Sequence, residues 1–306
     1  MTHRLNLFLL VVALAVAAPF YWYLLENGSG GARPRPVTIA QLRALAEHIP
    51  GTKPKAVELE VVALRRVPGD YLAAGLGLKR EPIGSMVFRL PVPDGRPIMI
   101  NGGAIPAQVA GKDWSVEDKG VRARVDAALG TAGLILATDE TVDNLGAIAS
   151  RTGTKGSAAF MANSEQTPSG IQGRHLPWPG GASVTPTITG NAPQPVAPGV
   201  VVIPAPGRTP GSQLIYVRLG SGREYLFAGE IAPLPQSWIE QRSHSRLMTD
   251  WLEPEDRVAT RSWLMTIAAL HRQAPRLVVV PGGAYEWLLD ELNHTGVKLY
   301  FYRPED

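Results

Sequence analysis

Gly199-Val200-Val201-Val202-Ile203-Pro204-Ala205-Pro206-Gly207-Arg208-Thr209-Pro210-Gly211-Ser212-Gln213-Leu214-Ile215-Tyr216-Val217, followed after a short gap by Tyr225-Leu226-Phe227-Ala228-Gly229-Glu230-Ile231-Ala232, is the stretch from which the rest of the chain can be read. A β-branched run, a Pro/Gly turn, a second apolar run, the turn Gly220-Ser221-Gly222 and a third run ending in Gly229-Glu230 predict strand, loop, strand, turn, strand.

Working outward, Pro233 to Pro254 reads as loop, and Glu255 to Gln273 as the longest helix outside the N-terminal segment. Leu277 to Val280 reads as a strand closed by Pro281-Gly282-Gly283, Tyr285 to Leu292 as a helix and Val297 to Tyr302 as a last strand. Upstream, Met161 to Pro198 is rich in Pro, Gly and Ser and reads as a long covering loop. Gly133 to Ala137 predicts a short buried strand leading into Thr138-Asp139-Glu140-Thr141-Val142-Asp143-Asn144-Leu145-Gly146, with a helix opening at Leu145. Val116 to Leu129 keeps helical spacing, and Ser85 to Leu90 and Arg96 to Ile100 read as strands joined at Pro93-Asp94-Gly95. Gly69 to Gly84 reads as loop. Val57, Leu59 and Val61 alternate with Glu58 and Glu60, the pattern of a half-buried strand. Thr38 is placed to cap a short helix ended by Pro50-Gly51.

Leu5 to Leu25 carries no charged residue and is long enough to cross a bilayer, with Phe20 to Tyr23 as an aromatic belt at one interface. A cleaved signal peptide ending at Ala15-Val16-Ala17 is the rival reading; the apolar run continuing past Ala17 favours an anchor. With Arg4 on the cytoplasmic side, the remainder faces outward, as a single-pass protein with a periplasmic or extracellular domain. The expected organisation is an anchor or signal segment over 1–25, a linker over 26–37 and one domain over 38–306. The net charge of +3 is too small to argue for nucleic acid, and the absence of cysteine excludes disulfides and thiolate chemistry. No G-x-S-x-G elbow or dinucleotide fingerprint is present.

Five short landmarks occur in order: Asn101-Gly102-Gly103, Asp139 to Asn144, Pro206 to Ser212, Gly229-Glu230 and Pro281-Gly282-Gly283. In this order the chain resembles the metallo-β-lactamase superfamily, whose corresponding motifs read D-x-G, T-H-x-H-x-D-H-x-G, T-P-G-H-T-P-G-S, G-D and P-G-H. The resemblance implies an α/β fold, the four-layer αβ/βα sandwich, over roughly Val57 to Tyr302. Zinc is the family's cofactor, and its ligands are not matched. Asp139 and Thr141 stand at the first two histidines, Asn144 at the next, Arg208 and Gly283 at two more, and Glu230 at the bridging aspartate; Asp143 matches. Zinc favours nitrogen donors, so no zinc and no other cofactor is expected. The oxygens of Asp139, Asp143, Asn144 and Glu230 leave a harder ion open, and His175 and His244 leave open a rebuilt site. The resemblance places Arg208 in the former metal pocket, where it is expected to pair with Asp139, Asp143 and Glu230 in place of the metal. Trp178 and Trp238 are candidates for lining an apolar pocket or for contacting a partner or the membrane surface. The functional expectation is a membrane-anchored, outward-facing member with a degenerate, metal-free site, a pseudoenzyme that binds a small ligand or an envelope protein. The alternative is a hydrolase of an ester, amide or phosphoester with an atypical metal site.

Overall fold

The computed structural model describes residues 2–28, 30–109, 114–115, 119–153 and 159–301. Helix α1 (Thr2–Phe20) continues through a π-helical turn at Tyr21–Leu25, two residues after Pro19, which cannot donate to the helical ladder. Its side chains lie exposed along nearly its whole length, and this is the described helix long and apolar enough to cross a membrane. Helix α2 (Ile39–Ala46) begins where the Thr38 hydroxyl accepts from the Gln41 N–H.

Strand β1 (Val57–Pro68) is followed by the single turn α3 (Gly69–Leu72), then β2 (Arg80–Leu90), β3 (Ile98–Ile100) and α4 (Pro106–Val109). Next come β4 (Trp114–Ser115), α5 (Lys119–Thr131), β5 (Leu134–Leu136) and α6 (Val142–Ser150). The deciding stretch supplies β7 (Val200–Pro204), β8 (Gln213–Arg218) and β9 (Glu224–Gly229), preceded by β6 (Gln194–Ala197). The chain closes with α7 (Pro235–Ile239), α8 (Arg257–Gln273), β10 (Val278–Pro281), α9 (Tyr285–Asp290), α10 (Leu292–Thr295) and β11 (Val297–Leu299).

Two sheets result. One has the order β11-β1-β2-β3-β5 with β4 beside β1; the other runs β10-β9-β8-β7-β6. The hairpins pair as read: Val202 opposite Ile215, and Ile215 opposite Phe227. The sheets face each other across a core of Leu59, Met86, Phe88, Ile100, Ile215 and Phe227 among others, with the Phe88 and Phe227 rings edge-to-face at 4.9 Å. Outside the second sheet, α2 and α8 bury Leu42, Trp263, Leu264 and Ile267; outside the first, α5 and α6 bury Val125, Leu129, Leu145 and Ile148. That is a four-layer sandwich. Since Phe227 fills the centre between the sheets, Phe227→Ala is expected to cost about 3–5 kcal/mol, read from the denaturant midpoint.

Four expectations change. Glu58 and Glu60 are buried rather than solvent-facing, because Arg89 and Arg124 cover them with charge-assisted bonds of 2.6 and 2.7 Å. Gly69 to Gly84 is not all loop: it holds α3 and the start of β2, which lengthens to pair with the far end of β1. Met161 to Pro198 ends in β6, and Pro233 to Pro254 contains α7 and a π-helical turn at Met248–Leu252. Val116 and Tyr302, the outer limits of two expected elements, lie outside the described residues.

Candidate functional site

The strands β3, β5 and β9 all end at one edge of the sandwich, and the β7–β8 loop folds over that edge. The two sheets are locked together there. The Gln213 N–H donates to the Thr138 carbonyl at 2.8 Å, and the Gln213 side-chain amide donates to the Ala137 carbonyl at 2.6 Å. Gly229 has φ +53°, and a Cβ there would lie 2.6 Å from the Thr138 Cβ, so the approach of β9 requires glycine. Asn101, at φ 65°, accepts the Thr138 N–H on Oδ1 at 2.9 Å and donates to Asn144 Oδ1 at 2.9 Å.

Asp139 is buried and fully engaged. Its Oδ1 accepts from the Thr141 N–H at 3.0 Å and the Thr141 hydroxyl at 2.5 Å; its Oδ2 accepts from the Asn144 amide at 2.8 Å and the Thr138 hydroxyl at 3.1 Å. The carboxylate thereby anchors the start of α6, where helix amides favour negative charge. Glu140, also buried, accepts the Thr209 hydroxyl at 2.7 Å and the Gly211 N–H at 3.0 Å, tying the β7–β8 loop to the same corner. Burial pushes the Glu140 carboxyl up to about 7 against those two hydrogen bonds, with Asp139 adding repulsion.

A cavity of about 510 Å³ opens beside this corner, lined by Arg65, Tyr71, Thr141, Asp143, Arg208, Glu230, His244 and Glu253 among others. Glu230 projects from the end of β9 into it. Among the described residues no hydrogen bond or ion pair reaches its carboxylate. Burial, with repulsion from Asp139 and Asp143, pushes Glu230 up to about 7 against the pull of Arg208 and Arg65. Asp143 lies 3.6 Å from the Arg65 guanidinium, which also stacks over Trp114 at 4.7 Å.

Arg208 reaches the cavity, but its ion pairs differ from those expected. It binds Glu253 in a short contact and faces Glu255 at 3.9 Å, while His244 Nδ1 stands 3.0 Å from the same Glu255 carboxylate. The cause is the 243–255 segment, which folds back over the pocket and brings two carboxylates closer to Arg208 than Asp139 or Asp143. Burial opposes the Arg208 charge, but Glu253, Glu255 and Glu230 outweigh it and push its pKa up.

Of the remaining candidates, His244 lines the cavity, whereas Gly283 is not among its lining residues and donates its N–H to the Pro233 carbonyl at 3.1 Å. Trp238 is held away by packing of α7 on α8, with its ring 4.8 Å from that of His271. Trp178 donates to the Gly173 carbonyl at 2.6 Å against the α5–α6 layer, and His175 is exposed beside Arg174. Neither borders the cavity. Glu140, Glu253, Glu255 and Arg65 were not singled out by sequence reading; each joins the site through long-range contacts that leave no local signal.

The residues do not fit the zinc centre of the resembled family. Both Asp139 oxygens are committed to donors, the Asn144 amide is fixed between Asp139 and Asn101, and the Arg208 cation borders the same space. Among the described residues no group of three or more His, Asp or Glu side chains is arranged to hold a metal ion.

The Glu140 shift has a measurable consequence. A folded pKa of about 7 against an ordinary 4.5 means the native state holds a proton that the unfolded state has released. Its stabilising contribution is complete below about 4.5 and is lost as pH rises through about 7, up to about 3 kcal/mol. Thermal unfolding should therefore occur at a lower temperature at pH 8 than at pH 5, and Glu140→Gln should reduce that slope, the remainder coming from Glu230, whose carboxyl is raised in the same way.

No protein-family model matches the sequence, and no curated protein is significantly similar to it. Solved structures do match in shape. A quorum-quenching N-acyl homoserine lactone lactonase superposes with TM-score 0.56 at 12% identity, over 76% of this chain and 92% of that one. An N-acyl homoserine lactone hydrolase, with N-hexanoyl-L-homoserine bound at its catalytic metal center, gives 0.57 at 12% identity, over 78% and 96%. A probable metal-dependent hydrolase from Staphylococcus aureus gives 0.56 at 10% identity, over 76% and 90%. At these identities the likeness is one of fold, and the chain is a protein of the metallo-β-lactamase fold.

Proposed function

We propose that the chain is a hydrolase of an ester, amide or phosphoester, and that Glu230 serves as its general base without the zinc centre of the resembled family. The observation that carries this reading is the Glu230 carboxylate: unpartnered among the described residues, facing a cavity, with a pKa of about 7. A base tuned near neutrality is half-ionised yet strong enough to take a proton from water. Glu230 would remove that proton as the water oxygen attacks the acyl or phosphoryl centre, then return it to the leaving group. Arg208, and Arg65 across the cavity, supply positive charge for the oxyanion that develops. The fold neighbours whose names specify hydrolysis support the reaction class. The test is turnover of a panel of anionic esters, lactones, amides and phosphodiesters by wild type and Glu230→Gln; no turnover of any class defeats the proposal.

A second reading, a pseudoenzyme that binds its ligand or an envelope protein without turning anything over, is favoured by the way Arg208 is tied to Glu253 and Glu255. Saturable binding with no product would select it. In both readings α1 is a retained single-pass anchor with the domain on the outer face. Support comes from the chain beyond Ala17: Glu26 pairs with Arg246 at 2.7 Å, and Asn27 exchanges hydrogen bonds with Gln241 and Ser243.

A further inference from the structure

The end of α1 does not lead into a free tether. The Leu24 carbonyl accepts the Gly75 N–H at 2.9 Å, Trp22 stacks under Arg246 at 4.2 Å, and Tyr23 meets Trp251 edge-to-face at 6.3 Å. These contacts fall on the two segments that also wall the cavity. Residues 69–76 supply Tyr71 and Leu72, and residues 244–253 supply His244, Met248, Leu252 and Glu253. The segments are joined to each other as well: the Ala74 N–H donates to the Ser243 carbonyl at 2.8 Å.

Around this junction lie exposed apolar side chains that a water-facing surface does not explain. Trp251 is 69% exposed, Leu252 53%, Leu78 63% and Ile239 59%. Trp251 touches Tyr23 directly, and Leu252, Leu78 and Ile239 each sit within three residues along the chain of a contact made by Tyr23, Leu24 or Asn27, which gathers them around the aromatic end of α1. On the cavity's rim, Arg66 is exposed and forms no ion pair with any described side chain.

We infer that this patch rests on the lipid bilayer, and that the cavity receives an anionic amphiphile from the leaflet, its headgroup among the arginines and its chain leaving past Leu72, Met248 and Leu252. The inference rests on α1 being membrane-embedded and on the cavity being the working site. The occupant is a bilayer because the patch begins where the spanning-length helix ends, and Trp and Tyr side chains favour the headgroup region. The arginines fit a phosphate or carboxylate headgroup, and the apolar rim fits the chain below it.

The chain has no cysteine, so single cysteines can report position one at a time. Full-length Leu78→Cys, Ile239→Cys and Trp251→Cys, each carrying an environment-sensitive fluorophore, are compared in phosphatidylcholine–phosphatidylglycerol vesicles with Leu10→Cys inside α1 and Ser221→Cys on the distant β8–β9 turn. The patch positions should be shielded from an aqueous quencher several-fold better than Ser221→Cys. Shielding at Leu10→Cys with none at the patch would overturn the inference while leaving the anchor intact. Accessibility at Leu10→Cys would remove the anchor and the inference together. In the same vesicles, a phosphatidylglycerol bearing a photoreactive acyl chain should cross-link to Tyr71 and Met248 inside the cavity, in Glu230→Gln as in wild type. Cross-links confined to α1 and the outer patch would overturn leaflet access. Because Glu230→Gln needs no turnover to cross-link, failure of access is distinguishable from failure of the hydrolase reading.

Discussion

Replacing Glu230 by glutamine is expected to lower kcat at least about 100-fold, the range for loss of a general base, while leaving the protein folded. The substitution keeps the side chain's size and removes its capacity to take a proton. No described hydrogen bond or ion pair is lost, and repulsion from Asp139 and Asp143 is relieved, so stability at pH 8 should hold or rise. The wild-type rate should climb as pH rises through about 7, since the base acts when ionised, and the variant should lack that limb. A merely structural Glu230 would produce a different result, with stability falling and the pH profile unchanged. The limb is also coupled to Asp139: Asp139→Asn removes a repelling charge and should move it to lower pH.

Asp139→Ala should be the most destabilising substitution at this corner, by about 3–5 kcal/mol, because buried donors left without acceptors cost about 1–3 kcal/mol each. The Thr141 N–H, the Thr141 hydroxyl and the Asn144 amide all lose their acceptor; the Thr138 hydroxyl keeps Asn101 Oδ1 at 3.2 Å. The loss extends to Asn101, whose bond to Asn144 depends on the amide being held in place. Asp139→Asn retains an acceptor oxygen and should cost about half as much. Chemical denaturation with an unchanged slope would register both.

Much of the fold was legible because its strands are short, apolar and punctuated. Val200 to Ile203, Leu214 to Val217 and Tyr225 to Ala228 form strands as their patterns indicate, and the Gly220–Gly222 turn closes the hairpin. Glu58 and Glu60 misled because alternation reports polarity, and a carboxylate covered by arginine is polar and buried at once. The site was legible where residues are neighbours along the chain. Asp139, Thr141 and Asn144 close one hydrogen-bonded corner because a strand end and a helix start bring them together. The partners of Arg208 were not legible. Glu253 and Glu255 lie more than forty residues away, on either side of Pro254, one at the end of a stretch read as loop and the other just before the helix that begins at Arg257, and only the folded chain shows them closing over the guanidinium.

On the proposed mechanism the cavity works through Glu230 rather than through a bound metal. The most direct test is elemental analysis of the purified full-length protein, prepared without chelator or added metal, with the hydrolytic rate measured on the same sample. The account predicts turnover with only trace transition metal and no gain on adding Zn²⁺, Mn²⁺ or Mg²⁺. Near-stoichiometric metal whose removal abolishes turnover would contradict it.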